Sequence, residues 1–557
     1  MEVDSASGLM TSVDRDAAMM QFRQRVEAMI VQYRTLHPGA VFEKEDNYAS
    51  DLLQLHLHAD ALMRRLRARC PDRQWVEYDC ATVLMLLLRN EEAGQILMAA
   101  LARFGPNAWV LYMLAIAAML VGLQDGAVAF VRQAIASDPA ALLPRQALFD
   151  FLLYHERTTP EDLLAAARDS AALLPRSVQP LFNNTRAPDR KLTIGLLGGH
   201  FRADAPGWVT VRGIENLDRA QFDVICLSNI PLRDDPVTHR FRFRSQWLEV
   251  CAMDNLALVA TARERGIDIL LDIGGQGTSG RLSACAHRLA PVQITWAGGK
   301  EGTAGMPEMD WFITDWWHTP PEFEAHFTER LLYLPGSYVC YSPPPYAPDV
   351  VPLPTLANGH VTFGCFHELV KINAGVIDTW SVILRRVPTA RLILKANGLH
   401  DRQTIDRMRA VFVANGIDPG RLELRSSSSH RRYMAEWCEI DVALAPFPHS
   451  GGVTTCEALW MGVPSIALAG DFFAGRHSSG HMRNVGLADW IAGSVPDYIE
   501  MAVARAADVP ALAALRAGLR ERMRHSPLCD GPRFGRNLGA ALRHAWRVWC
   551  DEERLAA

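Results

Sequence analysis

Residues 441–464 read DVALAPFPHSGGVTTCEALWMGVP. The first five form an apolar run of strand length. Gly451 and Gly452 interrupt the run, and Val453, Thr454 and Thr455 then open a helical stretch that carries Glu457. A strand passing through a glycine loop into a helix is the repeating half of a parallel sheet, because parallel neighbours need a crossover between them. The stretch therefore predicts a strand at 441–445 and a helix whose N-terminus faces the carboxyl edge of a sheet.

The same alternation continues outward. Strands are expected at 361–366, 390–395, 422–425 and 465–468. Upstream lies a Pro-rich stretch beginning YSPPP at Tyr341 and running to Pro354, which reads as a linker. Before it a second series appears: KLTIGLLG at 191–198, FDVICL at 222–227, IDILLDI at 267–273, then 292–296 and 311–314, with a helix at 256–265. The expected fold class is α/β, with two Rossmann-like units enclosing a cleft at the carboxyl ends of their strands.

Ahead of residue 183 the pattern is helical. Ala127, Val131 and Ala134 recur about 34 residues after Ala93, Leu97 and Ala100, and Leu111, Leu114, Ala115 and Ala118 supply a matching first half. Pro175 closes a weaker third copy. Small residues at this spacing suit tetratricopeptide-like repeats, and equally an Ala-rich antiparallel bundle. The expected organisation is an N-terminal helical extension (1–75), helical repeats (76–185), a first lobe (190–345), a second lobe (356–526) and a C-terminal helix (527–557) that packs back on the first lobe.

The totals narrow the function. The chain has 557 residues, 49% hydrophobic and 21% charged, an ordinary globular balance for about three to four domains. A net charge of −5 offers no basic field, so nucleic acid is not an expected partner. The 11 Cys are scattered without metal spacing and read as reduced, buried thiols of a cytoplasmic protein. The opening MEVDSASGLMTSVDRD lacks a basic start and an apolar core, so no secretory leader is expected. The longest apolar run, 109–123, is shorter than the roughly 18–20 residues that span a bilayer, so no membrane partner is expected.

The chemistry concentrates around the opening stretch. No P-loop, HExxH or GxSxG is present. A GxGxxG string occurs at 275–280, but the following strand carries no acidic residue for a ribose, and a plain glycine turn serves as well. The loop at Gly452 brings backbone N–H groups, the hydroxyls of Thr454 and Thr455 and a helix N-terminus together, a combination that holds a diphosphate. Glu457 can accept from a ribose or from nearby N–H groups. A simple Thr-capped helix would show the same residues.

With these residues in view, the chain resembles the O-GlcNAc transferases: tetratricopeptide repeats followed by a two-lobed GT-B glycosyltransferase that uses a UDP-sugar. The family's Gly-His-Thr-Thr loop and acid correspond to Gly452, Val453, Thr454, Thr455 and Glu457. Further similar segments are Asp272 to Gly275 with Arg281, APVQITW at 290–296 followed by GTAG at 302–305, MDWFITD at 309–315, FHELVKI at 366–372, and Gly470-Asp471 with Arg476. The resemblance implies that Lys371 contacts the diphosphate and stabilises the departing UDP as a point charge. It places His430 and Tyr433 at the uracil and ribose, and His367 and Glu368 where the family has amides.

The chain also departs from the pattern. Asp204 stands where the family has a His that reaches the reaction centre. A carboxylate there can serve as general base, with His200 as the alternative. Asp272 is a further carboxylate candidate. The loop Gly299-Lys300-Glu301-Gly302 is one residue longer than the family's and lacks its Pro, and the resemblance implies that it lies near the sugar. The resemblance implies an inverting transferase moving GlcNAc from UDP to Ser or Thr of a protein held in the repeat groove. No metal or other cofactor is expected, because Lys371 and the helix at Val453 neutralise charge and no DxD-type cluster stands beside them. The alternatives are another nucleotide sugar or an Asn acceptor on the same fold, and a repeat scaffold with a degenerate, non-catalytic transferase lobe.

Overall fold

The computed structural model describes residues 57–552, apart from 58, 62, 69–71, 178–181, 276–279 and 298–300. Most of the expected N-terminal extension and most of the GxGxxG string therefore lie outside the described residues.

After helical residues at 59–61 and 63–68, three helix pairs follow: Gln74–Leu86 with Asn90–Phe104, Ala108–Leu120 with Gln124–Ser137, and Leu142–Leu152 with Pro160–Ala172. Local chemistry sets their starts. The Asn107 side chain accepts from the Trp109 and Val110 amides, and Thr159 and Asp162 form a reciprocal capping box ahead of Pro160. The repeating small residues do what their spacing predicts: Ala93, Leu97, Ala100, Ala127, Val131 and Ala134 are all within 2% of full burial at the seams between helices.

The first lobe is a seven-stranded sheet. Its strands are β1 (Leu192–Gly198), β2 (Phe222–Ser228), β3 (Gln246–Glu249), β4 (Ile269–Asp272), β5 (Val292–Thr295), β6 (Trp311–Thr314) and β7 (Arg330–Tyr333). The order is β3-β2-β1-β4-β5-β6-β7, and every pair is parallel. The second lobe has β8 (Thr362–Cys365), β9 (Arg391–Lys395), β10 (Leu422–Arg425), β11 (Val442–Leu444), β12 (Ser465–Leu468) and β13 (Ile491–Ala492), in the order β10-β9-β8-β11-β12-β13, again all parallel. The expected strands form, and three short ones are added: β3, β7 and β13. In each sheet the strand order reverses between the first and fourth strands, β1 and β4 or β8 and β11. That switch point opens a crevice where open α/β sheets bind ligands.

The linker has no regular element between β7 and Thr355, yet it is not loose. Tyr341 is fully buried, its amide bonds the Leu528 carbonyl, and the Ser342 amide bonds the Trp208 carbonyl. The last helix, Gly531–Glu552, packs on the first lobe as expected. Phe534 stacks on Trp296, and Arg543 and Trp546 donate to the carbonyls of Pro188 and Ala187.

Candidate functional site

The two switch points face one another. In the second lobe, β8 leads to His367, Glu368 and Lys371, and β11 leads to His449, Ser450, Gly451 and Gly452. Lys371 lies in a short turn, Leu369–Lys371, and its Nζ donates to the Ser450 carbonyl at 2.9 Å. Burial lowers its pKa, with Glu301 and Glu368 pulling the other way. Gly452 caps the Val453–Trp460 helix with no side-chain partner, so the first-turn amides there have no capping side chain from Gly452.

Gly451 is required by its neighbours. A Cβ there would stand 2.3 Å from His367 Cε1 and 2.6 Å from Thr455 Oγ1. At Gly452 a Cβ would meet nothing within 4 Å, which leaves room for a ligand to approach the backbone. Burial, with Lys371 and His449 adding to it, holds His367 well below the ordinary imidazole value, so it is neutral at pH 7.

The two threonines differ. Thr455 is buried, and its hydroxyl pairs with Ser478 Oγ at 2.8 Å. Ser478 also accepts from the Gly451 amide. Thr455 thus fixes the loop from behind, whereas Thr454 lies half-buried beside the Tyr433 hydroxyl. Glu457 is buried and meets His430 Nε2 at 2.7 Å, while Tyr346 Oη meets His430 Nδ1 at 2.6 Å. His430 stacks between Trp208 of the first lobe and Tyr433 of the second. The sequence-predicted residues His430, Tyr433, Thr454 and Glu457 are therefore one cluster. Glu368 belongs to another corner, where it accepts from Asn397 Nδ2 at 2.8 Å.

Asp204 caps the Ala205–Glu215 helix. One carboxylate oxygen accepts from the Gly207 amide at 3.0 Å; the other meets His200 Nδ1 at 2.9 Å and Arg202 Nε at 2.7 Å. Burial pushes its pKa up, but His200 and Arg202 outweigh burial and hold it below the usual carboxylate range. The helix it caps packs on the Val453–Trp460 helix, so Asp204 and His200 lie at the joint of the lobes. Asp272 caps a turn, accepting from the Gly274 and Gly275 amides.

Several site residues escaped the sequence reading. Tyr154 comes from the helical repeats and stacks on His449, with ring centroids 4.8 Å apart and planes 3° apart. Gln124 donates to the Val370 carbonyl and Glu156 accepts from the Gly375 amide, so the repeats brace the Lys371 turn. Glu301 reaches His449 from the first lobe. Trp208 and Ser478 complete the set. His449 had a signal, as the third residue from the end of APFPHSG, and Glu301 lies in the lengthened 299–302 loop.

Among the described residues, no group of three or more His, Cys, Asp or Glu is placed to hold a metal, and no helix is long and apolar enough to cross a membrane. The model of glycosyl transferase family 41 matches residues 172–341 and 353–538. The chain is 34% identical over 376 residues to the probable UDP-N-acetylglucosamine–peptide N-acetylglucosaminyltransferase SPINDLY of Solanum lycopersicum, covering 66% of this chain and 40% of that one. It is 27% identical over 357 residues to the corresponding SEC protein of Arabidopsis thaliana, covering 62% and 36%. The chain thus spans well under half the length of these curated relatives. A structure of a mutant Thermobaculum terrenum O-GlcNAc transferase superposes with a TM-score of 0.83 at 31% identity, covering 98% of this chain and all of that one. The two facing parallel sheets and the matched residues agree: the chain belongs to glycosyl transferase family 41.

Proposed function

We propose that the protein is an inverting glycosyltransferase that moves a sugar, GlcNAc first among candidates, from UDP to a Ser or Thr hydroxyl of a protein. The carrying observation is the meeting of Lys371 with the Gly451–Gly452 loop and a helix N-terminus at the switch point of the second sheet. An ammonium and a helix N-terminus favour a diphosphate there, and they stabilise the negative charge that grows on UDP as it leaves. No metal or cofactor is needed for that neutralisation. His430, Tyr433 and Glu457 form the nucleoside end.

In the reaction the acceptor oxygen attacks the anomeric carbon from the face opposite UDP. The bond to the β-phosphate oxygen breaks with its electrons, and the hydroxyl proton passes to a base of the first lobe. Asp204 serves either directly or, as its 2.9 Å contact suggests, by orienting His200. The acceptor polypeptide enters along the groove of the helical repeats, which border the site through Tyr154. The cytoplasm is the proposed location.

A second reading keeps the fold but changes the donor nucleotide or the acceptor side chain. Val453 and Glu457, in place of the residues usual in O-GlcNAc transferases, favour it. The non-catalytic scaffold is disfavoured by the retained Lys371 and Gly452 site. Incubation with UDP-GlcNAc, UDP-glucose and GDP-sugars beside a Ser/Thr peptide pool tests all three. Release of UDP with a glycosylated peptide supports the proposal, release of GDP supports the second reading, and no release from any donor leaves the scaffold.

A further inference from the structure

The lobes also meet away from the Lys371 turn. After β6 the first lobe turns at Asp315 to His318, and this turn docks on the His477–Asn484 helix of the second lobe. Asp315 orients the His318 ring: Nδ1 meets its two carboxylate oxygens at 2.9 and 3.0 Å, and Asp315 also accepts from the His318 amide. The fully buried ring sits against Gly480, where a Cβ would stand 2.2 Å from His318 Cε1 and 2.8 Å from Nε2. Two arginines flank the contact. Arg476 Nε donates to the Trp317 carbonyl at 2.9 Å, and the Arg483 guanidinium lies 5.3 Å from the centre of the Trp317 ring.

The same helix pins the glycine loop. Ser478 Oγ accepts from the Gly451 amide at 2.9 Å and pairs with Thr455 Oγ1 at 2.8 Å, and the Ser478 amide donates to Ser450 Oγ at 3.1 Å. Gly451 has no slack of its own against His367 and Thr455. A helix is a rigid element and a close-packed interior transmits displacement, so a shift of the helix at Gly480 reaches Gly451 through Ser478. Stability alone does not account for an imidazole at 318. With Nδ1 given to Asp315, Nε2 is buried without a hydrogen-bond partner among the described residues, a cost that an apolar ring would avoid. What the Asp315 bond supplies is a fixed ring orientation against Gly480.

We infer that His318 is a positioning residue for the transfer: seated on Gly480, it ties the docking of the first lobe to the helix that pins the diphosphate loop. The inference rests on the proposed placing of the diphosphate at that loop. The base of the first lobe and the diphosphate of the second are then held in one geometry. Reacting groups misplaced by about 1 Å lose about 10²-fold in rate, so a contact that sets the lobes against each other acts on turnover without touching substrate.

The test is a cycle of Gly480→Ala, His318→Ala and the double variant. UDP affinity is measured by calorimetry on the full chain, and kcat and KM with the donor and peptide that the wild type turns over. Thermal melting checks that each variant is folded at the assay temperature. In Gly480→Ala the new methyl meets the imidazole and displaces the helix, so UDP affinity falls about tenfold. In His318→Ala the helix keeps its place in its own lobe and UDP affinity stays within about threefold, but the first lobe is no longer seated and kcat falls about tenfold. The double variant has room for the methyl, and its UDP affinity returns to that of His318→Ala. A contact that only supports the fold would lower the melting temperatures and leave UDP affinity and kcat of the folded protein unchanged, which would overturn the inference. So would a double variant that binds UDP no better than Gly480→Ala. If Gly480→Ala does not fold, His318→Ala decides alone, and an unchanged kcat overturns the inference. Wild-type protein that binds no nucleotide at all would overturn the proposed function and this inference together, whereas the other failures, with UDP bound by the wild type, overturn this inference alone.

Discussion

Lys371 Nζ donates to the Ser450 carbonyl at 2.9 Å, joining the turn after β8 to the loop after β11. The bond spans the switch point of the second sheet, so Lys371 is held at the place where a parallel sheet offers its crevice. It holds the ammonium at the loop that ends in Gly452, where a Cβ would meet nothing within 4 Å and where the proposed diphosphate site lies.

The two glycines of that loop should behave differently. Gly451→Ala would drive a methyl into His367 and Thr455, and overpacking of this kind costs about 1–3 kcal/mol. Gly452→Ala meets nothing and should change stability by less than about 1 kcal/mol while weakening nucleotide binding. Thermal melting beside UDP titration separates the two effects. Equal melting temperatures for the two variants would count against the packing described.

Asp204 carries two separable duties. Asp204→Ala should cost about 1 kcal/mol through loss of the helix cap, whereas Asp204→Asn keeps a capping oxygen. Both should lower turnover if the carboxylate acts on or through His200. The pKa of Asp204 is held below the usual carboxylate range, so a pH–rate limb owed to its own titration falls below about pH 4. A loss of turnover in His200→Ala equal to that in Asp204→Asn, and no further loss when the two are combined, would assign the base to His200.

Buried Asp315 gives a stability prediction. Burial raises its pKa, but His318 and the amides of His318 and Tyr338 outweigh burial and hold it below the ordinary value. Its stabilisation is thus complete above the unfolded-state pKa of about 3.9 and is lost as pH falls through the lower native value. Asp315→Asn should lower stability at pH 7 by about 1–3 kcal/mol and flatten its decline in acid. Denaturant titrations at several pH values check this; an unchanged slope below pH 4 would remove Asp315 from the account.

Tyr154 links the helical repeats to the site by its ring on His449. Tyr154→Ala should raise the KM for donor while the lobes stay folded, and Tyr154→Phe, which keeps the ring, should behave as wild type. Steady-state kinetics on the two variants decide whether stacking or the hydroxyl matters.

Much of this was legible in the sequence. Long apolar runs such as LTIGLLG and ILLD have one physical solution in a sheet covered on both faces, and they formed strands where expected. The edge strands β3 and β13 are short, and half or more of their residues are outside the core, so they carry no such signal. The Gly452–Thr454–Glu457 constellation was readable because a loop and its helix are contiguous. Trp208, Tyr154 and Ser478 were not, because each acquires its role only across an interface between distant segments, and Glu301 was visible only as part of the lengthened 299–302 loop. Asp204 was read as a base from its position, and only the fold shows both of its oxygens already engaged by Gly207, His200 and Arg202.

The central claim is that Lys371 and the Gly452 loop hold a nucleotide diphosphate. Calorimetric titration of the full chain with UDP, UDP-GlcNAc, UDP-glucose and GDP, alongside Lys371→Ala, tests it most directly. The account predicts saturable nucleotide binding by the wild type, lost by about 10²-fold or more in the variant at an unchanged melting temperature. No binding of any nucleotide, or equal binding by Lys371→Ala, would contradict it.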